Sequence, residues 1–188
     1  MTKSFVHLHA HTEYSMLDGA AKIVDYLKKV KELNQPAAAI TDHGNLYGAM
    51  EFVQKANDLG IKPIIGYEAY ITPGSRFDRP DRENNKRYHL TLLAENNIGY
   101  QNLVELVSKA YTEGYYYKPR IDYELLDQHH DGLIALSGCL GGELAQHLAP
   151  DGSVEEGNTS NERSFEKALD IAKKYQSIFG KENYFIEI

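Results

Sequence analysis

The sequence has a single cysteine, Cys139, and no apolar run near the ~20 residues that cross a bilayer. Behind Met1 there is no apolar stretch leading to a small-residue cleavage site. Each shortage excludes something. One thiol rules out an internal disulfide framework and fits a reducing compartment. Without a span or an export leader, the expectation is a cytoplasmic protein with no membrane partner. No P-loop, serine-centred elbow, low-complexity tract or internal repeat is present. An excess of basic charge is missing too: 20 Lys and Arg stand against 27 Asp and Glu, a net charge of −7. That balance argues against non-specific coating of nucleic acid, which needs clustered cations. It leaves a nuclease open, because carboxylates that hold metal ions present positive charge to a substrate once loaded.

What is present fits one soluble globular domain spanning 1–188, with 42% apolar residues to build a core. Short apolar runs alternate with helical patterns. Strands are expected at about 5–11, 37–41, 62–72, 88–94, 133–137 and 184–188. Helices are expected at about 23–33, 46–58, 99–112, 122–129, 142–148 and 161–179. Residues 73–87 read as an irregular charged loop, and 150–160 read as a mobile one. Such alternation implies a parallel sheet, either doubly wound or closed as a barrel. A strand as the last element, with no partner after it, suggests a chain cut from something longer.

Metal-competent side chains fall at the strand ends of this map. His9 and His11 close the first strand and Asp18 lies in the loop beyond. His43 follows the second strand, Glu68 sits in the third, His89 in the fourth, and Cys139 follows the fifth. The C-terminal rim of a β/α fold is where sites are assembled. His7 shares a face with His9 one layer deeper and reads as a supporting donor. Asp42 reads as a helix N-cap, and Glu187 as a carboxylate of the last strand, a minor candidate for facing the barrel interior. A mixture of imidazole, carboxylate and thiolate favours Zn, Mn or Fe over Mg or Ca. Seven candidates exceed what one tetrahedral ion uses, so two or three divalent ions are expected, with Glu68 as a bridge. Clustered ions sharing a water provide a hydrolytic nucleophile and clamp a phosphoryl group.

The motifs His9-x-His11, Thr41-Asp42-His43-Gly44, Glu68, His89 and Cys139 resemble, in order, those of the polymerase-and-histidinol-phosphatase (PHP) superfamily. The longer strings FVHLHAHTEYSMLDGAAKI, TDHGNLYGAMEF, GIKPIIGYEAYITPGSRF and KPRID are similar to the N-terminal PHP domain of bacterial replicative DNA polymerase III alpha subunits. The resemblance implies a distorted TIM-like (β/α)7 barrel, here stopping before its last strands, with a trinuclear metal centre. Its ligands would be His9, His11, Asp18, His43, Glu68, His89 and Cys139. The catalytic set would be His9, His11, His43 and Glu68, acting through metal-bound water. The implied activity is 3′–5′ proofreading exonuclease action on a single-stranded primer 3′ end, within a DNA-directed DNA polymerase (a nucleotidyltransferase) whose remaining domains and replisome subunits are its partners. Two alternatives stay open: a metal-stapled structural domain that supports the polymerase or docks a separate exonuclease, and a histidinol-phosphatase-like enzyme. For DNA contacts, Arg76 and Arg79 in the charged loop and Tyr116, Lys118 and Arg120 in YYYKPR combine cations with an aromatic ring.

Overall fold

The computed structural model describes residues 5–16, 18–148 and 160–188, with the side chains of the last segment described from Ser164 onward. The expected mobile loop at 150–160 lies outside the described residues except for Ser160, which opens the last helix. The elements are α1 (Ile23–Glu32), β1 (Ala37–Ile40), α2 (Ala49–Asp58), β2 (Lys62–Ile71), β3 (Tyr88–Ala94) and α3 (Asn97–Thr112). There follow β4 (Arg120–Ile121), α4 (Tyr123–Gln128), β5 (Leu133–Leu136), α5 (Glu143–Leu148), α6 (Ser160–Phe179) and β6 (Tyr184–Phe185).

The sheet runs in the order β1-β2-β3-β5-β6, and the two-residue β4 adds to the upper part of β2. It is not all parallel, as the alternation of elements implied. β3 runs antiparallel to both β2 and β5. The connection from β2 to β3 contains no helix, and a pair joined without a crossover is free to turn back as a hairpin. The margins of the sheet approach each other: His9, beside β1, is 2.7 Å from Glu187, just past β6. The architecture is a distorted TIM-like barrel.

Alternation along the strands divides the core in two. Ala38 and Ile40 pack outward against Ile23, Leu27, Phe52 and Ala56 of α1 and α2. Ala39 points the other way, toward Leu93 and Leu136 in the interior. On β2 and β3, Tyr67, Ala69, Leu90 and Leu92 face the helices, which leaves Glu68, His89 and Thr91 to the interior. The interior is therefore apolar at one end and polar at the other.

Residues 5–11 do not form the expected strand. They follow the edge of β1, where Ala39 N–H donates to the His7 carbonyl and Thr41 N–H to that of Ala10. The Ala10 N–H, however, goes to the Thr41 hydroxyl at 2.8 Å. A side chain has taken the place of a ladder partner, and regular pairing stops there.

The charged loop before β3 is tied down by arginines that the sequence offers as DNA contacts. Arg120 has no exposed surface. Its guanidinium donates to the carbonyls of Gly114, Arg76 and Asp78 and to the Asn85 side chain. Arg76 is buried as well, paired with Asp122, Glu113 and Glu124. Tyr116 donates to the Pro80 carbonyl, and the guanidinium groups of Arg79 and Arg120 lie 5.5 and 5.2 Å from the centre of its ring. Arg76 and Arg120 are thus corrected to structural residues: both guanidinium groups are buried and are turned toward carbonyls and carboxylates of the protein rather than toward solvent. Arg120→Met strands those carbonyls. It is expected to lower stability by about 2–4 kcal/mol and Tm by about 5–15 °C in thermal denaturation.

Candidate metal centre

The polar end of the barrel is organised by the backbone around Glu68. Its N–H donates to the Asp42 carbonyl, and its own carbonyl accepts from Gly44 N–H. This two-bond clamp sets His43 directly beside Glu68. Gly44 makes the turn possible. Its φ is +66°, and an added Cβ would come within 2.9 Å of Pro119 and 3.1 Å of Tyr70. On the other side, β3 pairs Tyr70 with His89 and Glu68 with Thr91. His89 is the second residue of its strand, not near its C-terminal end as expected. It reaches the ligand rim because β3 runs antiparallel. The loop after β5 closes the site, with His89 N–H donating to the Gly141 carbonyl at 2.8 Å.

The result is one buried carboxylate facing four imidazoles. Glu68 lies 2.8 Å from His43 Nδ1, 3.0 Å from His89 Nδ1, 3.1 Å from His11 Nε2 and 3.5 Å from His9 Nε2. Cys139 Sγ is 3.8 Å from both Glu68 and His89. Asp18, on the exposed side, is 2.9 Å from His43 Nε2. All seven candidate ligands meet in this cluster. They include two groups with metal-compatible spacing that share Glu68: His9 and His11 in one, His43 and His89 in the other.

A further set of contacts orients the rings. His9 Nδ1 meets Glu187 at 2.7 Å. His11 Nδ1 is 3.2 Å from the Ser15 hydroxyl, which donates to Asp42. His43 Nε2 meets Asp18. In His9, His11 and His43 one nitrogen meets one of these groups and the other faces Glu68, as in metal sites where a second partner fixes the imidazole tautomer. The burial of Asp42 has the same purpose. It accepts from Thr12 N–H, the Thr12 hydroxyl and the Ser15 hydroxyl, and α2 begins only at Ala49 with Gly48 as its N-cap. Asp42 is an anchor for the Thr12–Ser15 turn rather than the expected helix cap. His7 does not join the cluster; it is exposed and packs edge-on against Phe5. Glu187 was weighed from sequence only as an inward carboxylate, because its partner His9 lies 178 residues away.

Whether these residues suit metal ions is tested by the atoms they leave orphaned. His9 Nε2, His43 Nδ1 and Glu68 Oε2 are buried and face one another at close range, yet none is in hydrogen-bond geometry with a partner among the described residues. Lone pairs converging without protons between them repel, and a divalent cation removes that conflict. The donor set fits. In the metal-free protein, protons take the cation's place. Burial lowers the His9 pKa, but Glu187 and Glu68 outweigh it and push it up to about 9. His43 is raised likewise, with burial opposing and Glu68 and Asp18 prevailing. Burial raises the Glu68 pKa, yet His11, His43, His89 and His9 together hold it far below the usual carboxylate range. Burial also raises the Cys139 thiol, so a metal must displace its proton.

These shifts set a pH dependence. The raised His9 pKa stabilises the metal-free fold fully below pH 6.5, and that contribution disappears as pH climbs through about 9. Metal binding must expel the same proton. Affinity for Zn or Mn is therefore expected to rise about tenfold per pH unit per proton released, up to about pH 9. Calorimetric titration in buffers of different ionisation enthalpy counts the protons. Ser15→Ala, which frees the His11 ring, is expected to weaken metal binding by about 10–100-fold in the same titration.

The chain is 52% identical to the DNA polymerase III subunit alpha of Thermus aquaticus over 98% of its own length, and 51% identical to that of Deinococcus radiodurans over 99%. It spans 14% of the length of each of these relatives. A solved amidohydrolase structure from Chromobacterium violaceum, 15% identical, aligns over 93% of this chain and 53% of its own at a TM-score of 0.42. The family model of the PHP domain matches residues 7–188, from the histidine before the first ligand pair to the last residue of the chain. The chain belongs to the PHP domain family.

Proposed function

We propose that this chain is the metal-dependent phosphodiesterase domain, spanning residues 1–188, of a bacterial replicative DNA polymerase, and that it acts as a 3′–5′ exonuclease on single-stranded primer ends in the cytoplasm. The observation that carries the reading is Glu68 between two histidine pairs, with unpaired lone pairs turned inward. The identity with named DNA polymerase III alpha subunits supports the replicative setting, in which further polymerase domains and replisome subunits are the partners. Among the described residues no helix is long and apolar enough to cross a membrane.

The residues divide the work by exposure. Glu68, at the bottom, joins the two groups and is shielded from water. Glu187, Ser15 and Asp18 hold the rings of His9, His11 and His43 in place, while Cys139 and Asp18 line the exposed side where a substrate enters. His9, His11, Asp18, His43, Glu68, His89 and Cys139 would hold two or three ions of Zn, Mn or Fe, which would supply Lewis-acid charge for activating water and neutralising a phosphoryl group. No residue of the cluster needs to act as a covalent nucleophile.

The test uses the full-length protein, purified free of other nucleases, on a 3′-mismatched primer with Mn or Zn. Progressive loss of 3′ nucleotides is expected, and His43→Ala is expected to abolish it while polymerase activity persists. If the unaltered protein binds the metals but leaves the primer intact, the ions only staple the fold. A small-molecule phosphatase is recognised instead by release of phosphate from a phosphomonoester with the primer untouched.

A further inference from the structure

Two openings flank the metal ligands, and their linings differ. On one side lies a cavity of about 460 Å³ that includes Asp18, His43 and His89 in its wall, a size within the ~300–1,000 Å³ of small-ligand sites. Tyr14, Tyr47, Tyr70, Tyr111, Tyr115 and Tyr117 line the rest of it. They come from four separate segments: the turn after the first ligands, the loop before α2, the end of β2, and the end of α3 with the loop beyond it. On the other side of His89 lies a cleft of about 670 Å³ that includes Lys86, Arg87, His147 and Lys167. Arg87 and His89 belong to both.

Core packing does not explain these rings. Tyr47, Tyr115 and Tyr117 are 62%, 53% and 65% exposed, and exposed aromatics grouped around one cavity mark a binding surface. Tyr117 is also held at φ +62°, a conformation that bulky residues rarely adopt outside tight turns and functional sites. Its neighbours fix it there, as Tyr116 N–H donates to the Lys118 carbonyl across it. Tyr111 and Tyr115 stack at 6.0 Å, and Tyr70 stacks on the candidate ligand His43 at 5.8 Å. Lys118 Nζ sits 5.3 Å from the centre of the Tyr70 ring, adding a cation at the cavity mouth.

We propose that the tyrosine cavity receives the base of the terminal nucleotide of a single DNA strand, while the backbone leaves over His89 along the cationic cleft. The inference rests on the phosphodiesterase reading above and adds to it how a strand end is selected. Aromatic faces accept any base by stacking, and cations follow the phosphates. A terminal base seated beside His43 and Asp18 brings the last phosphodiester to the candidate ligands. Of the residues offered from sequence as DNA contacts, Lys118 alone lines this cavity. Tyr47 and Tyr117 are the specificity-determining rings, and the strand end is read by shape and stacking rather than by sequence.

The test is photocrosslinking of the full-length protein, without divalent cations, to single-stranded oligothymidylate with 5-iodouracil at its 3′ terminus. Peptide mapping is expected to find the label on Tyr47, Tyr115 or Tyr117. Replacing Tyr47 and Tyr117 together by Leu is expected to reduce the yield at these peptides by about fivefold or more, the low end for loss of a stacked base, whereas the corresponding Phe variant retains it. Lys86→Ala with Lys167→Ala is expected to flatten the salt dependence of the same yield. Label found only in other parts of the protein, or a yield unmoved by the Leu variant, overturns the proposal. Crosslinking does not need hydrolysis. An inert protein that still labels at these tyrosines therefore loses the phosphodiesterase reading and keeps this one.

Discussion

A carboxylate with no access to water, facing four imidazoles, is the constraint that the remainder of this structure accommodates. An isolated buried carboxylate is costly, and burying it is tolerated only with compensating positive charge or full hydrogen bonding. Glu68 is surrounded by His9, His11, His43 and His89, so the local question is what cation shares the space. Protons can, which is why His9 stays charged well above its ordinary range. Metal ions can as well, by taking up on His9 and His43 the nitrogen lone pairs that those protons vacate.

The backbone is arranged so that this cluster does not depend on flexible side chains. Glu68 is clamped to the β1 exit by two main-chain bonds, and its other edge is fixed to β3. Outward-facing Tyr67 and Ala69 bind the same stretch to the helical layer. Apolar residues at the opposite end of the interior, Ile64, Leu93, Ile134 and Leu136, surround a cavity of about 800 Å³ that His9 and Glu187 also line.

The sequence showed the elements that carry a strong local signal. The apolar run at 37–40, the helical spacing of 23–32 and the glycines after α2 and α6, Gly60 and Gly180, were readable, as was the order of the candidate ligands. Three kinds of feature were not. The direction of β3 depends on whether a charged loop crosses over or turns back, and neither composition nor periodicity distinguishes these. The role of an arginine depends on where its donors end: Arg76 and Arg120 have the composition of a nucleic-acid loop, yet both are satisfied inside the protein. Contacts across a long stretch of chain, such as Glu187 with His9, leave no local mark at all. Asp42 shows how close the two readings lie, since the capping chemistry expected of it is present but points back to Thr12 and Ser15 instead of forward to a helix.

The turn-back between β2 and β3 has a bearing on how such a domain tolerates change. In a regular β/α repeat, a loop at the ligand rim leads into a helix. Here the segment leaves the rim after Ile71 and returns to it at Tyr88, while the spacing of Glu68 and His89 is set by strand pairing alone. Exposed residues between Asp81 and Asn84 are therefore free to lengthen, shorten or exchange charge over evolutionary time. Such variation would reshape the approach to the cleft and leave the distances among the ligands as they are.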